Sequence, residues 1–412
     1  MEEQELLLPV AGDDAAAFVL SRLPHPGTAA ADAAAFVDAT TGTGTSLSFS
    51  ALRRAALSLA SALRLGLGLR RGDVVLVLSH NSLLLPQVLL GVLAAGAVVA
   101  AADPDATPAE VGAAARDSGA VMVVAAPEVA AKLSPNAMGL PPLLLTSRSP
   151  EDPAALSAEE LIDGGDPVDP AAEMVAVSDS DVAFLAYPSA TTAAVAMTHA
   201  DLVAAIDLVA DGGRRVCLAS LPMYSAHGLP LLALGLPAAG VTTVLLPPPS
   251  SASQSDARAA REAVAAHAAT DFVATPDVVE AALAAPVPLD GKLSSLRRVI
   301  VAPTPLTPGA REEFRRRLPW VQLTQLLSGT PENQTELLSL PPEVITPPTG
   351  AAVIQHNSLP ADPMSATNDA SLVPPPKKIN KIISGGIFSR STMSKILRKH
   401  PETGNRQAAS KL

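Results

Sequence analysis

Residues 182–209 read VAFLAYPSATTAAVAMTHADLVAAIDLV and contain the pattern that decides the fold. The apolar run 182–186 is typical of a buried strand, and residues 201–209 have the apolar spacing of a helix. Between them lies a turn rich in hydroxyl groups. We expect a strand–turn–helix junction to aim amides at a phosphate, with Ser189, Thr191 and Thr192 as candidate ligands. On residue types alone, Thr191 and Thr192 also fit a hydroxyl pair that contacts only the protein.

Strand-like and helix-like segments alternate on both sides of this stretch. Apolar runs predict buried strands at 73–78, 121–124 and 143–145 and around Val216, Val241, Phe272 and Val299. Helices are predicted at 52–63 with Gly66 at its end, at 107–118 with a capping box of Thr107 and Glu110, at 255–268 and at 307–317. Continuous apolar strands separated by helices pair in parallel, so the predicted fold class is α/β with parallel-rich sheets.

Residues 83–102 are nearly all apolar and long enough to raise the question of a membrane span. Pro86, Gln87, Gly91 and Gly96 interrupt this run, and it ends in a strand-like stretch of small apolar residues. The pattern favours a buried helix followed by a buried strand over a membrane span.

Composition narrows the classes of function. A chain of 412 residues is expected to form two or three domains, and its net charge of −11 argues against nucleic acid as a partner. Cys217 is the single cysteine, which excludes an internal disulfide and fits a reducing compartment. The first residues, MEEQE, lack the basic region of a secretory signal.

A second loop, TTGTGT at residues 40–45, also combines glycine with hydroxyl groups. No strand-like run precedes it and no helix-like run directly follows it, so its amides are not aimed at a phosphate. We interpret this loop as a hairpin turn.

The turn within residues 186–199 resembles the phosphate-binding loop of the acyl-adenylate-forming superfamily, specifically its plant 4-coumarate–CoA ligase-like branch. Other segments resemble the same family in the same order: 69–75, 81–82, 91–97, 107–108, 221–224, 293–298, 305–306, 376–379 and 395–399. The resemblance covers most of residues 40–332 and returns at 374–400, which indicates common ancestry.

The resemblance implies an adenylation core of layered, parallel-rich sheets with packed helices, followed by a C-terminal domain that is mostly lost. Such enzymes join a carboxylic acid to ATP as an acyl-adenylate, with Mg²⁺ offsetting phosphate charge, and then transfer the acyl group to CoA. By residue match, ATP binding involves Ser189, Thr191, Thr192, Gln325 and Thr330, the acid pocket Ser225, His227 and Thr304, and catalysis Lys395. No side chain is assigned as a metal ligand.

The turn also departs from the family. Only Ala193 and Ala194 separate Thr192 from Val195, so the loop lysine and its neighbouring glycines are absent. Ala190 replaces an earlier glycine, and Pro188 replaces a serine and offers no N–H. A single lost donor to the transition state costs roughly 3–4 kcal/mol, so we expect impaired ligation. Two alternatives are a non-catalytic descendant that retains the core and an incomplete version of a full ligase.

Together with the resemblance, composition and hydrophobic pattern divide the chain into three predicted parts. These are an adenylation core at 1–332, a Pro-rich linker at 333–373 and a basic remnant of the C-terminal domain at 374–412. From Lys377 onward there are nine Lys and Arg residues against one acid, Glu402. The last three residues, Ser410, Lys411 and Leu412, match a peroxisomal import signal. We therefore expect an import receptor as partner and the peroxisome as location.

Several candidate residues have plainer interpretations. His199 fits a packing or capping residue at a helix start, and His227 fits a hydrogen-bonded core histidine better than a catalyst. Without the family match, Lys395 is only a solvated charge. Residues 312–317, with two glutamates and three arginines, fit a charged helix face rather than an anion site.

Overall fold

A computed structural model describes residues 14–39, 44–133, 139–165, 178–188, 193–207, 215–246, 253–284 and 293–326. The strands, in chain order, are β1 (Ala34–Asp38), β2 (Ser46–Ser48), β3 (Val74–Leu78), β4 (Val98–Ala102), β5 (Met122–Ala125), β6 (Leu143–Leu145), β7 (Val182–Tyr187), β8 (Val195–Thr198), β9 (Val216–Ala219), β10 (Thr242–Leu245), β11 (Asp271–Ala274), β12 (Arg298–Val301) and β13 (Gln322–Gln325).

These strands form two sheets. The seven-stranded sheet has the order β13-β12-β11-β9-β10-β1-β2, and the six-stranded sheet has the order β6-β5-β3-β4-β7-β8. Pairing is parallel except at one end of each sheet, where β2 runs antiparallel to β1 and β8 antiparallel to β7. The prediction of an α/β fold with parallel-rich sheets is confirmed.

The helices are α1 (Ala15–Arg22), α2 (Phe49–Ser61), α3 (Leu84–Ala94), α4 (Pro108–Asp117), α5 (Pro127–Lys132), α6 (Ala158–Gly164), α7 (His199–Asp207), α8 (Leu236–Ala238), α9 (Ser253–His267), α10 (Pro276–Ala284) and α11 (Pro308–Arg317). A π-helical turn, Ala62–Gly66, continues α2, and a π-helical segment, Leu229–Gly235, leads into α8. Within the described ranges, no helix has both the length and the apolarity needed to cross a membrane.

The central core lies between the two sheets. It joins α2 and α3 to apolar side chains from both sheets, such as Val75 and Val99 on one and Val273 and Ile300 on the other. Helices α2 and α3 approach so closely at Gly91 that a Cβ atom there would lie 2.9 Å from Cδ2 of Leu59. Two further apolar cores lie on the outer faces of the sheets. One lies between the seven-stranded sheet and α9, α10 and α11, and the other between the six-stranded sheet and α4 and α5.

Most predicted elements are confirmed. The stretch 83–102 is helix α3 followed by strand β4, both buried. Helix α4 begins with a capping box, in which the amide of Thr107 donates to Oε2 of Glu110 at 2.7 Å. In α11, Arg316 and Arg317 pair with Glu313 on a charged surface, as the sequence predicts.

Two local predictions are wrong. Strand β8, which pairs antiparallel with β7, lies between the hydroxyl-rich stretch and helix α7, so this stretch connects two strands instead of a strand and a helix. The hydrophobic pattern does not distinguish the short strand VAMT, because this run continues directly into the helical pattern of α7. Strand β1 precedes the loop at 40–45, contrary to the prediction, and it pairs antiparallel with β2, which follows the loop. Residues 40–43 themselves lie outside the described ranges.

Candidate functional site

The carboxyl ends of the parallel strands in both sheets meet on one side of the molecule. Asn81, which follows β3, lies against the loop after β9 and is buried. Its Nδ2 donates to the carbonyl oxygen of Leu221 at 2.9 Å, and its Oδ1 accepts from the amide of Met223 at 2.8 Å. One amide side chain therefore joins a loop of the six-stranded sheet to a loop of the seven-stranded sheet, at the end where open α/β sheets bind their ligands.

A second link, nearer the surface, joins the loop after β9 to the loop after β4. The hydroxyl of Tyr224 lies 3.4 Å from Oδ1 of Asp103, which follows β4. Burial and the nearby carboxylates of Asp103 and Asp105 raise the pKa of Tyr224, so its hydroxyl stays protonated. Because β7 pairs in parallel with β4, the hydroxyl-rich turn after Tyr187 leaves the sheet at the same end as Asp103.

Ser225, a predicted pocket residue, lies in the loop that Asn81 holds. Its hydroxyl donates to the carbonyl oxygen of Pro222 at 2.8 Å and accepts from the amide of Gly228 at 2.9 Å. The turn is compact, because a Cβ at position 228 would lie 1.8 Å from the same carbonyl oxygen. The Ser225 hydroxyl thus closes the start of the π-helical segment.

His227 lies in the same turn and is partly buried. Burial lowers the pKa of its imidazole below the usual value, so the ring is neutral at neutral pH. A neutral imidazole at this place adds polarity without fixed charge.

Thr304 and Gln325 lie at the carboxyl ends of β12 and β13, two paired strands. Gln325 is buried, and its Oε1 accepts from the amide of Leu306 at 2.9 Å. Thr304 is exposed two residues before Leu306. Thr304 therefore lies in the connection that follows β12, and Gln325, at the end of β13, bonds to the backbone of that same connection through its side-chain oxygen.

The remaining predicted residues lie outside the described ranges. These are Ser189, Thr191, Thr192, Thr330, Lys395, Ser410, Lys411 and Leu412. Within the described part of the chain, no three His, Cys, Asp or Glu side chains are grouped so as to hold a metal ion.

His199 lies away from this site, at the amino end of α7. Its Nδ1 accepts from the amide of Ala15 at 3.1 Å and lies 3.8 Å from Oδ1 of Asp14, the N-cap of α1. Burial lowers the pKa of His199, which keeps the ring neutral and able to accept. The interpretation as a packing and capping residue is confirmed.

Sequence reasoning assigned no role to Asn81, Asp103 or Tyr224. A usable signal existed, since each follows closely on a buried strand whose carboxyl end carries the site. The pairing of Asn81 with a loop 140 residues away could not be read from local pattern.

Residues 25–329 match the model of the AMP-binding enzyme family, which is more than half of the chain. The chain belongs to this family. Its two-sheet core resembles that of a benzoate CoA ligase from Burkholderia xenovorans LB400, with a TM-score of 0.64 and 24% identity over 77% of this chain and 61% of the other. The predicted adenylation fold is thereby confirmed.

Plant relatives are more similar in sequence. 4-Coumarate–CoA ligase-like 3 from Oryza sativa subsp. japonica is 34% identical over 338 residues, which is 75% of this chain and 54% of the relative. Peroxisomal OPC-8:0-CoA ligase 1 from Arabidopsis thaliana is 30% identical over 312 residues, 71% of this chain and 53% of the relative. The chain spans about half the length of these relatives, and the suspected resemblance to 4-coumarate–CoA ligase-like proteins is confirmed.

Proposed function

We propose that this chain provides the nucleotide- and acid-binding part of an acid–CoA ligase. In the reaction, a carboxylate oxygen attacks the α-phosphorus of ATP and releases pyrophosphate, and the thiol of CoA then displaces AMP from the acyl-adenylate. The observation that carries the proposal is the meeting of strand carboxyl ends from both sheets, held by Asn81, in a chain of the AMP-binding family. Ligand sites of open α/β sheets lie at such ends.

The proposed roles follow from position. Ser189, Thr191 and Thr192 would bind the phosphates of ATP from the turn after β7, with Mg²⁺ offsetting the charge. Gln325 and Thr330 would lie on the nucleotide side.

The acid would occupy the pocket beside Ser225, His227 and Thr304. Neutral His227 and the apolar surroundings of the π-helical segment favour an uncharged acid body, such as a phenylpropanoid or a fatty chain. Lys395 would act at the departing pyrophosphate.

A second candidate is a non-catalytic protein that keeps the nucleotide-binding core. The polar groups of Ser225 and Gln325 that could face a substrate are bonded to backbone. The turn lacks the lysine and glycines that the family carries there, and Pro188 offers no N–H. These observations support binding with weak or absent chemistry.

For location, we propose the peroxisome. The supporting observations are the tripeptide Ser410, Lys411 and Leu412 and the peroxisomal name of one relative. A fluorescent protein fused to the N-terminus should enter peroxisomes, and deletion of Leu412 should leave it in the cytosol. A cytosolic signal from the intact fusion would contradict this proposal.

ATP–pyrophosphate exchange, measured with a panel of acids that includes 4-coumarate and medium-chain fatty acids, separates the two candidate functions. ATP binding is measured in parallel by equilibrium dialysis. A Thr191→Ala/Thr192→Ala variant is the control in both measurements. Acid-dependent exchange that this variant loses supports the ligase. ATP binding without exchange supports the non-catalytic protein, and absence of both overturns the proposed site.

A further inference from the structure

The chain contains two tyrosines, and each donates a hydrogen bond to a carboxylate of the same structural unit. The hydroxyl of Tyr187 lies 2.8 Å from Oδ2 of Asp117, the last residue of α4. The hydroxyl of Tyr224 lies 3.4 Å from Oδ1 of Asp103, in the loop before α4. Residues 103–117, which we call the α4 unit, therefore bind one tyrosine at each end.

The α4 unit is held together between these two ends. The amide of Asp105 donates to Oδ1 of Asp103 at 2.9 Å, and the capping box at Thr107 fixes the start of the helix. The helix buries Val111 in the apolar core on the outer face of the six-stranded sheet, which also contains the ring of Tyr187. A short helix that is capped and packed in this way moves as a rigid element, so a shift at one end reaches the other.

Tyr187 is the last paired residue of β7. Its pairing with Ala102 ends the ladder between β7 and β4, and the ladder between β7 and β8 ends one residue earlier, at Ala186. Pro188 follows and has no N–H to extend either ladder. The buried ring of Tyr187 and its bond to Asp117 therefore fix the point where the chain leaves β7.

The partner of Tyr187 is not explained by packing alone. A buried tyrosine hydroxyl usually has a hydrogen-bond partner, and a neutral acceptor would be sufficient. The C-terminus of a helix carries partial negative charge, so the carboxylate of Asp117 in the last turn of α4 destabilises the helix. Burial and the bond to this carboxylate raise the pKa of Tyr187, so its hydroxyl stays protonated and donates.

Each tyrosine also lies next to one side of the proposed ligand site. Tyr187 precedes the turn on the nucleotide side, and Tyr224 directly precedes Ser225 on the acid side. We propose that Tyr187 and Tyr224 are positioning residues that couple these two sides through the α4 unit, so that a bound nucleotide reorients the acid loop. This coupling rests on the proposed function, and it is a regulation of the same site.

The test follows the two tyrosines by NMR of the full chain, labelled with ¹³C at tyrosine Cζ, and uses ATP with Mg²⁺ as the probe. The Tyr187→Phe and Tyr224→Phe variants assign the two signals, because each variant removes one of them. We expect ATP to shift the Tyr224 signal saturably in the unmodified chain and to leave it unshifted in Tyr187→Phe. A direct contact between ATP and Tyr224 would instead shift the signal in both.

Equilibrium dialysis measures how the bond between Tyr187 and Asp117 affects ATP affinity. Tyr187→Phe and Asp117→Ala should each weaken ATP binding by about threefold to tenfold, and the double variant should bind no more weakly than either single one. Asp117→Asn keeps an oxygen that accepts from the hydroxyl and should retain the affinity within about twofold. Ser157→Ala, which removes a capping bond from α6, is the matched control and should leave ATP affinity unchanged.

Equal ATP affinity in the unmodified chain and Tyr187→Phe would overturn the coupling and leave the proposed function standing. So would a Tyr224 signal that ATP leaves unshifted, or one that it shifts equally in Tyr187→Phe. Absence of ATP binding by the unmodified chain would overturn both proposals, since no nucleotide side would remain to be coupled. If Tyr187→Phe fails to fold, the comparison of Asp117→Ala with Asp117→Asn decides by the same two measurements.

Discussion

The two ends of the parallel strands are held by different chemistry. At the amino ends of the seven-stranded sheet, buried Asp271 pairs with Arg298 at 2.7 Å and with Arg215 at 3.6 Å. At the amino ends of the six-stranded sheet, Arg71 pairs with Asp181, close to the buried ring of His199. Both amino ends are thus tied by charged and titratable groups that bridge neighbouring elements.

At the carboxyl ends, the links that reach into the protein come from neutral side chains instead. Asn81, Ser225 and Gln325 each bind backbone amides or carbonyl groups of the adjoining loops. Acidic side chains at this end, such as Asp103 and Asp105, are exposed. Neutral groups shape these loops without committing buried charge, which suits the end of the sheet that we propose to bind a charged nucleotide.

The largest effect should come from the amino ends. Asp271→Ala removes the buried carboxylate that offsets the charges of two arginines. We therefore expect a loss of about 3–5 kcal/mol in the free energy of unfolding. Urea denaturation followed by circular dichroism measures it. Glu262→Ala, which removes an exposed partner of Arg258, is the control and should change stability by no more than about 1 kcal/mol. Similar losses in the two variants would break the contrast between buried and exposed pairs.

The next effect concerns the carboxyl ends. Asn81→Ala leaves the carbonyl of Leu221 and the amide of Met223 buried and unpaired, which should cost about 2–4 kcal/mol of unfolding free energy. Tyr224→Phe removes only a long bond at the surface and should cost less than about 1 kcal/mol. Denaturant midpoints of both variants test this difference, and an Asn81→Ala loss as small as that of Tyr224→Phe would contradict the role of Asn81 as the link between the sheets.

The sequence pattern predicts most of the helices and strands but fewer of the contacts that form the candidate site. Apolar runs and capping residues predicted α3, β4 and α4 because burial and local hydrogen bonds act within a few residues. The sequence pattern does not reveal strand β8. Its four residues are too few to show a two-residue alternation, and no Gly or Pro separates them from helix α7. The bond from Asn81 to Leu221 depends on how two sheets meet, which no local pattern encodes.

A smaller effect should depend on pH. Burial lowers the pKa of His199 in the folded state below its unfolded value of about 6.5, so its contribution to stability is present above that pH and is lost as the pH falls. The slope is at most about 1.4 kcal/mol per pH unit. Asp14, Asp181 and Arg71 act on the same ring, and the raised pKa of Asp14 acts at lower pH in the opposite sense.

His199→Asn keeps an acceptor near the amide of Ala15 but does not titrate. We expect this variant to lose part of the stability slope between about pH 5.5 and 7.5, with the rest arising from His227, whose pKa is also lowered by burial. Thermal denaturation across this range gives both slopes. Equal slopes for the variant and the unmodified chain would remove His199 from the titratable groups that hold the amino ends.

The last effect tests whether the hydroxyl of Ser225 stabilises its loop or contacts a ligand. Its hydroxyl bonds twice to backbone, so Ser225→Ala should lower the free energy of unfolding by about 1–2 kcal/mol, with Gly228 losing its acceptor. A residue that only contacted substrate would leave stability unchanged and would alter the affinity for the acid. Denaturation, measured beside acid-dependent pyrophosphate exchange, separates these roles. Unchanged stability with a weakened response to the acid would place a substrate contact at Ser225, and the carboxyl ends would then hold their loops by Asn81 and Gln325 without it.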